Sequence, residues 1–180
     1  MSAIGSRPRY AAARRWMHWG TFLLVLLAYL AINVFTWFPR GSALRANILA
    51  AHFLAGLAVL LLVLPRLMLR YRHSQPPVMP PLGRWADLLG KTTHAALYAF
   101  LLVQPLLGAI TLQVGGKPVR LFGLTLLPSF VSHPDRALSH RIEELHGTVG
   151  TIFYWVIGLH ILAALWHHFG RRDDTLQRML

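Results

Sequence analysis

Four long apolar stretches, separated by polar and basic connections, dominate the pattern of this chain. They run from about Trp16 to Phe35, Ala46 to Leu69, Thr92 to Val114 and Ile142 to Phe169. A bilayer core of about 30 Å takes roughly 20 helical residues to cross. Each stretch therefore predicts a transmembrane helix, and the fold class is all-α, an integral membrane four-helix bundle. The fourth stretch is long enough to tilt or to project beyond the core. Pro65 and Pro105 fall inside the second and third stretches, where packing against neighbouring helices tolerates them. The first stretch follows arginines, as a secretory leader would, but it is long for such a leader and no A-x-A site follows it. It reads as a retained helix.

Composition agrees with a membrane protein. Of 180 residues, 55% are hydrophobic and 13% charged, which leaves too little polar surface for a water-soluble domain. The length suits one domain, here residues 1–180. The absence of cysteine excludes disulfides, thiolate metal sites, thiol catalysis and covalent c-type haem. A net charge of +12 would suggest nucleic acid in a soluble chain. Beside such apolar runs the basic residues are topology signals and lipid contacts, so membrane lipid is expected and nucleic acid is not.

Charge sets the orientation. In a four-span chain the N-terminus, second connection and C-terminus share one side, and they hold twelve Lys and Arg, from Arg7 to Arg178. The first and third connections hold six: Arg40, Arg45, Lys117, Arg120, Arg136 and Arg141. The positive-inside rule then puts both termini in the cytoplasm. The second connection carries Gln75-Pro76-Pro77-Val78-Met79-Pro80-Pro81, a stiff extended linker. Turn signals mark the third, at Gly115-Gly116-Lys117-Pro118 and His133-Pro134-Asp135. It is the longest connection, and long loops are often functional.

The chemistry lies with the histidines. Six of the ten fall in or at the ends of the apolar stretches: His18, His52, His94, His146, His160 and His167, with His168 beside the last. Ionisable residues inside a membrane are costly and usually functional, and neutral imidazole is the common axial ligand of haem iron. His146 and His160 are fourteen residues apart, nearly four turns, so one helix presents two imidazoles on one face about 21 Å apart. In the four-span topology His52 and His146 are the only membrane histidines of the periplasmic half. If a haem lies there, they are its pair. The cytoplasmic half has a surplus of four, His18, His94, His160 and His167, and depth does not choose among them. Gly56, Gly147 and Gly158 lie close to these positions, where a flat macrocycle needs room. A zinc or copper site would need ligands converging at one depth, and these divide between two. Single membrane histidines also serve as interhelical hydrogen bonds. His73, His133 and His140 read as solvated, Trp16, Trp19, Trp37 and Trp166 as an interfacial belt, and Glu143 and Glu144 as a first-turn helix feature.

Several short motifs, in order along nearly the whole chain, carry a family resemblance. They include Met17-His18-Trp19, Phe38-Pro39-Arg40, Ala51-His52 with Gly56, and Pro65-Arg66-Leu67-Met68-Leu69-Arg70. Further on come His94-Ala95-Ala96-Leu97-Tyr98, Phe122-Gly123-Leu124-Thr125, His146, Ile157-Gly158-Leu159-His160, His167-His168 and Asp173-Asp174-Thr175-Leu176. Together they resemble the bacterial cytochrome b561 family of four-helix dihaem proteins of the inner membrane.

The resemblance implies two haem b groups, one on His18 and His160 at the cytoplasmic side and one on His52 and His146 at the periplasmic side. It implies a ubiquinone site near His94 and His167. The implied activity is that of a superoxide:ubiquinone oxidoreductase, with superoxide oxidised to dioxygen outside and electrons passed through both haems to ubiquinone. No obligatory protein partner is implied. The outer connections suit a small anion, since their six basic residues against Asp135, Glu143 and Glu144 leave +3. Contact with lipid head groups is the plainer role for any one of them. The competing reading is a non-enzymatic cytochrome b subunit relaying electrons from a dehydrogenase or hydrogenase partner to quinone. A transmembrane ferric or ascorbate-type reductase is a third, and no flavin or nicotinamide motif supports it.

Overall fold

The computed structural model describes residues 9–72 and 81–180. His73 and all of the proline-rich linker except Pro81 lie outside the described residues. Four helices are long and apolar enough to cross a membrane: α1, Ala12–Val34; α2, Ala43–Arg72; α3, Arg84–Val114; and α4, Arg136–Phe169. Sequential helices pack on one another, α1 on α2, α2 on α3 and α3 on α4. An even number of spans leaves both termini at one end, called here the tail face. The opposite end is the hairpin face.

The core is thin and made of small residues. Ala31, Ala50, Ala55, Val59 and Val63 are buried, with Phe100 the one large side chain among the helical core residues. Large apolar groups point outwards instead; Trp155 is 76% exposed. This is the arrangement lipid favours, since small residues let helices approach and apolar side chains face hydrocarbon. α2 and α3 come close at Gly56, where an added Cβ would lie 4.0 Å from Pro105. Pro65 and Pro105 sit within unbroken helices, as expected.

The helices outrun the apolar stretches that announce them. α3 begins at Arg84 and α4 at Arg136, ahead of the predicted Thr92 and Ile142. Hydropathy marks where the bilayer core ends, whereas a helix stops at its cap. For α4 the cap is Asp135, whose carboxylate accepts the Leu138 amide at 2.9 Å. Glu143 and Glu144 consequently lie beyond the first turn, which contains no acidic residue; Asp135 takes the dipole role expected of them.

The third connection contains a hairpin that the turn signals do not announce. β1, Val119–Leu121, pairs antiparallel with β2, Leu124–Leu127. Phe122 and Gly123 both have positive φ, 49° and 83°, as a two-residue type I′ turn requires. The strained Phe122 is held by its amide, which donates to Asn47 Oδ1 on α2 at 2.9 Å. At the hairpin's root Gly116 also has positive φ, and a Cβ there would lie 2.5 Å from Pro134 Cγ. Ser139 Oγ, buried, donates to Thr111 O at 2.9 Å and ties α4 to α3.

After Phe169 the chain folds back across the tail face. Trp19 Nε1 donates to Met179 O at 3.0 Å, Arg15 to Leu180 O at 2.6 Å, and the Tyr10 amide to Arg178 O at 3.1 Å. Asp173, Asp174 and Arg178 are buried in this return.

Candidate functional site

Towards the hairpin face, α2 and α4 bring His52 and His146 together. Their ring centroids are 6.0 Å apart and the planes nearly perpendicular, at 86°. Each ring is oriented by a backbone carbonyl. His52 Nδ1 lies 2.8 Å from Ala28 O, and His146 Nδ1 lies 3.1 Å from Gln104 O. A carbonyl oxygen only accepts, so each Nδ1 is the protonated nitrogen and each Nε2 keeps its lone pair. This is the tautomer a metal ligand needs, fixed by a second hydrogen bond. Gln104 further donates through Nε2 to His146 O at 2.7 Å. An added Cβ at Gly108 would lie 3.3 Å from His146 Cε1, so the glycine leaves the ring its place.

Two cavities, of about 310 and 580 Å³, flank this pair, and His52, His146, Gly56 and Pro105 line both. The smaller is bounded also by Tyr29, Asn33 and Tyr154. There Tyr29 donates to Gly150 O at 2.8 Å and Asn33 bonds the Tyr154 hydroxyl. The larger opens towards Lys117, Arg120 and Glu143. Arg45 is engaged elsewhere, donating to Phe38 O at 2.9 Å.

Towards the tail face, His160 of α4 stands between two partners. Its ring centroid is 6.5 Å from His18 on α1 and 5.5 Å from His94 on α3. His94 is the more exposed of the three. Trp19 meets His18 edge-on at 5.4 Å. His167 is turned to the returning tail, with Nδ1 2.6 Å from Asp173 Oδ2. The Asp173 side chain is fully buried and also takes Arg171 Nε at 2.9 Å and the Thr175 amide at 2.9 Å. Burial alone would raise this carboxyl; the hydrogen bonds from His167 and Thr175 outweigh it and hold the group below the ordinary carboxylate range. His168 rests against Phe169, and His133 and His140 are exposed, His140 lying 3.5 Å from Glu144.

These distances test which pairs suit a haem. Two imidazoles on opposite faces of one iron, with metal–nitrogen bonds of about 2.0 Å, bring their centroids about 6.3 Å apart. His52 with His146 and His18 with His160 bracket that value; His94 with His160 falls short. No group of three or more His, Cys, Asp or Glu suited to a bare metal ion occurs among the described residues. A pair suffices where a macrocycle supplies the other four ligands.

Asp173 had no functional reading from the sequence beyond its place in a tail motif, and the contact depends on a chain reversal. The carbonyls of Ala28 and Gln104 carry no residue-type signal at all. His94 and His167, assigned to one pocket by resemblance, face different partners, His160 and Asp173.

Residues 9–180 match the family model described as prokaryotic cytochrome b561. An Escherichia coli protein described as cytochrome b561 homolog 1 is 34% identical, over 96% of this chain and 97% of its own length. A Yersinia pestis protein described as probable superoxide oxidase CybB is 30% identical, over 96% of each. Cytochrome b561 homolog 2 of Escherichia coli is 25% identical, over the whole of this chain and 95% of its own.

Proposed function

The chain belongs to the prokaryotic cytochrome b561 family of haem b electron-transfer proteins of the inner membrane, and on that premise we propose that it is a single-domain dihaem oxidase of superoxide. The tail face would be cytoplasmic, the side favoured by the excess of Lys and Arg, and the hairpin face periplasmic. His52 and His146 would hold one haem b through Nε2, and His18 and His160 the other. Both pairings have the ring separation that shared iron needs. Bound there, the two haems would supply one-electron transfer between levels about 21 Å apart.

The chain's own residues do the rest. Lys117 and Arg120, both exposed, line the cavity that His52 and His146 also line, and this juxtaposition carries the reading. A positive field beside that pair raises the encounter rate of a small anion, and salt weakens it. Ubiquinone would bind on the cytoplasmic side near His94 and His167. Asp173 holds His167 by Nδ1, leaving Nε2 for the quinone oxygen and its proton. Two superoxide ions each surrender one electron and leave as dioxygen. The quinone takes both electrons and two cytoplasmic protons and leaves as ubiquinol.

A steady superoxide flux on the purified protein should reduce its haem bands, and added ubiquinone should reoxidise them. No reduction under that flux would replace this reading with the electron-relay subunit. One observation favours that second reading: the third connection exposes large apolar groups, with Phe122 at the hairpin tip 79% exposed and Phe130, beyond β2, 73%, as a face meeting a partner protein would.

A further inference from the structure

α2 repeats the geometry of α4 with a different residue. Fourteen residues separate His52 from Arg66, the same step that separates His146 from His160, so both lie on one face about 21 Å apart. α2 thus brings an imidazole to one level and a guanidinium to the other. Arg66 Nη1 donates to Met17 O, next to His18, at 3.3 Å. Its guanidinium lies 5.6 Å from the centre of the Tyr98 ring on α3, and Arg70 lies 5.3 Å from the same ring.

This cation has no carboxylate of its own chain. The protein has six acidic residues, none in the segments outside the described residues. Asp87 pairs with Lys91, Glu144 with His140, Asp173 with His167 and Arg171, and Asp174 with Arg178. Asp135 caps α4, and Glu143 borders the cavity at the other level. A guanidinium within a membrane span is costly without an anion. Tyr98 compensates only in part, and the contact with Met17 uses one of five donors.

We propose that Arg66 is the seat of a carboxylate of the haem held at the His18/His160 level, with Tyr98 and Arg70 fixing the guanidinium's position. The inference rests on the dihaem reading above. A haem carries two carboxylates on its rim, and an arginine fork matches a carboxylate with two parallel bonds. Lipid phosphate is the rival anion. It suits Arg66 less well, because Arg66 lies six residues, about 9 Å, inside the end of α2, while Arg72 stands at that end.

The test uses holoprotein in nanodiscs, with Arg66→Gln and Arg66→Lys variants. Haem per chain in the unsubstituted protein comes first; a single haem there would sink the dihaem reading itself, and this inference with it. With two haems present, Arg66→Gln should lower one midpoint potential and leave the other, because a nearby cation favours the reduced form. It should also shift the resonance Raman propionate-bending band of that haem, and haem loss to apomyoglobin should run about tenfold faster. Arg66→Lys keeps the charge, so it should recover the potential but not the band, and it serves if the glutamine variant does not fold. An unmoved propionate band in both variants would overturn the proposal, since Arg66 would then act as a bare charge. So would effects that vanish when anionic lipid is left out of the nanodisc, since the anion would then be the head group of an anionic lipid.

Discussion

The two ends of this bundle hold histidines in opposite ways. Inside the bundle near the hairpin face there are two, His52 and His146, each tied by Nδ1 to a backbone carbonyl of a neighbouring helix, Ala28 or Gln104. Helix packing alone fixes them, and nothing competes for the pair. At the tail face four histidines meet three helices and a returned tail: His160 stands between the rings of His18 and His94, His94 also meets the Gly90 backbone, and His167 sits on the Asp173 carboxylate. A carbonyl offers no charge and holds one tautomer, which suits a ligand that stays put. A carboxylate on imidazole stabilises a proton when one arrives, which suits a site where protons move. The same residue type therefore serves two chemistries, chosen by what sits behind the ring.

The sharpest way to break this comparison is to remove ligands at each end. His52→Ala or His146→Ala should cost one of two haems and leave the other, about half the haem per chain by pyridine haemochrome assay. At the tail face His18→Ala should do the same, whereas His94→Ala should keep both haems, because His94 stands only 5.5 Å from His160. Haem loss in the His94 variant with retention in the His18 variant would reverse the tail-face assignment. The contrast would fail altogether if either hairpin-face variant kept both haems.

A smaller effect is expected behind the ring. Asp173→Asn removes the charge that His167 leans on and leaves both proposed haem pairs untouched. Reoxidation of the haems by ubiquinone should slow by about tenfold to a hundredfold, the usual cost of losing an orienting partner. Haem content and reduction by superoxide should stay as they were. A quinone step of unchanged rate would remove His167 and Asp173 from the proton path.

How much of this could be read from the sequence follows the same division. The four spans are legible because lipid enforces them through hydropathy, and the meeting of His52 with His146 is legible because the apolar stretches of that half hold no third histidine. The tail-face pairing is not. Depth leaves four candidates, and only resemblance chooses among them. The hairpin escaped notice because Val119–Leu121 is too short for a pattern and its turn puts Phe122 where Asn or Gly is usual. α3 and α4 begin ahead of their apolar stretches because apolar character ends before the helix does. Asp173 was hidden by distance, since its role depends on the tail being pinned to α1.

Acid should also separate the two ends. The folded state holds the Asp173 carboxyl below its ordinary range, so the protein favours the carboxylate. That contribution to stability is present above the unfolded carboxyl's range and is lost as pH falls through the lowered folded value. Tail docking should therefore weaken on acidification below the ordinary carboxylate range, read by protease cleavage within residues 171–180. Asp173→Asn should abolish the dependence. The hairpin at 119–127 should show no matching transition in that window from this carboxyl.

The smallest effect sharpens the comparison most, because it changes one hydrogen bond and no charge. Trp19 Nε1 donates to Met179 O at 3.0 Å, and Trp19→Phe removes the donor while keeping an aromatic ring beside His18. A neutral hydrogen bond contributes about 1 kcal/mol, so amides of the tail should exchange with solvent about fivefold faster. Two further bonds, from Arg15 to Leu180 O and from the Tyr10 amide to Arg178 O, keep the tail in place, so it should loosen without release. Amides at the hairpin, whose tip is held separately by Asn47, should exchange at their former rate. Equal acceleration at both ends would mean that the tail stabilises the whole bundle rather than closing one site. The division between a face fixed by packing and a face finished by a returning strap of chain would then have to be abandoned.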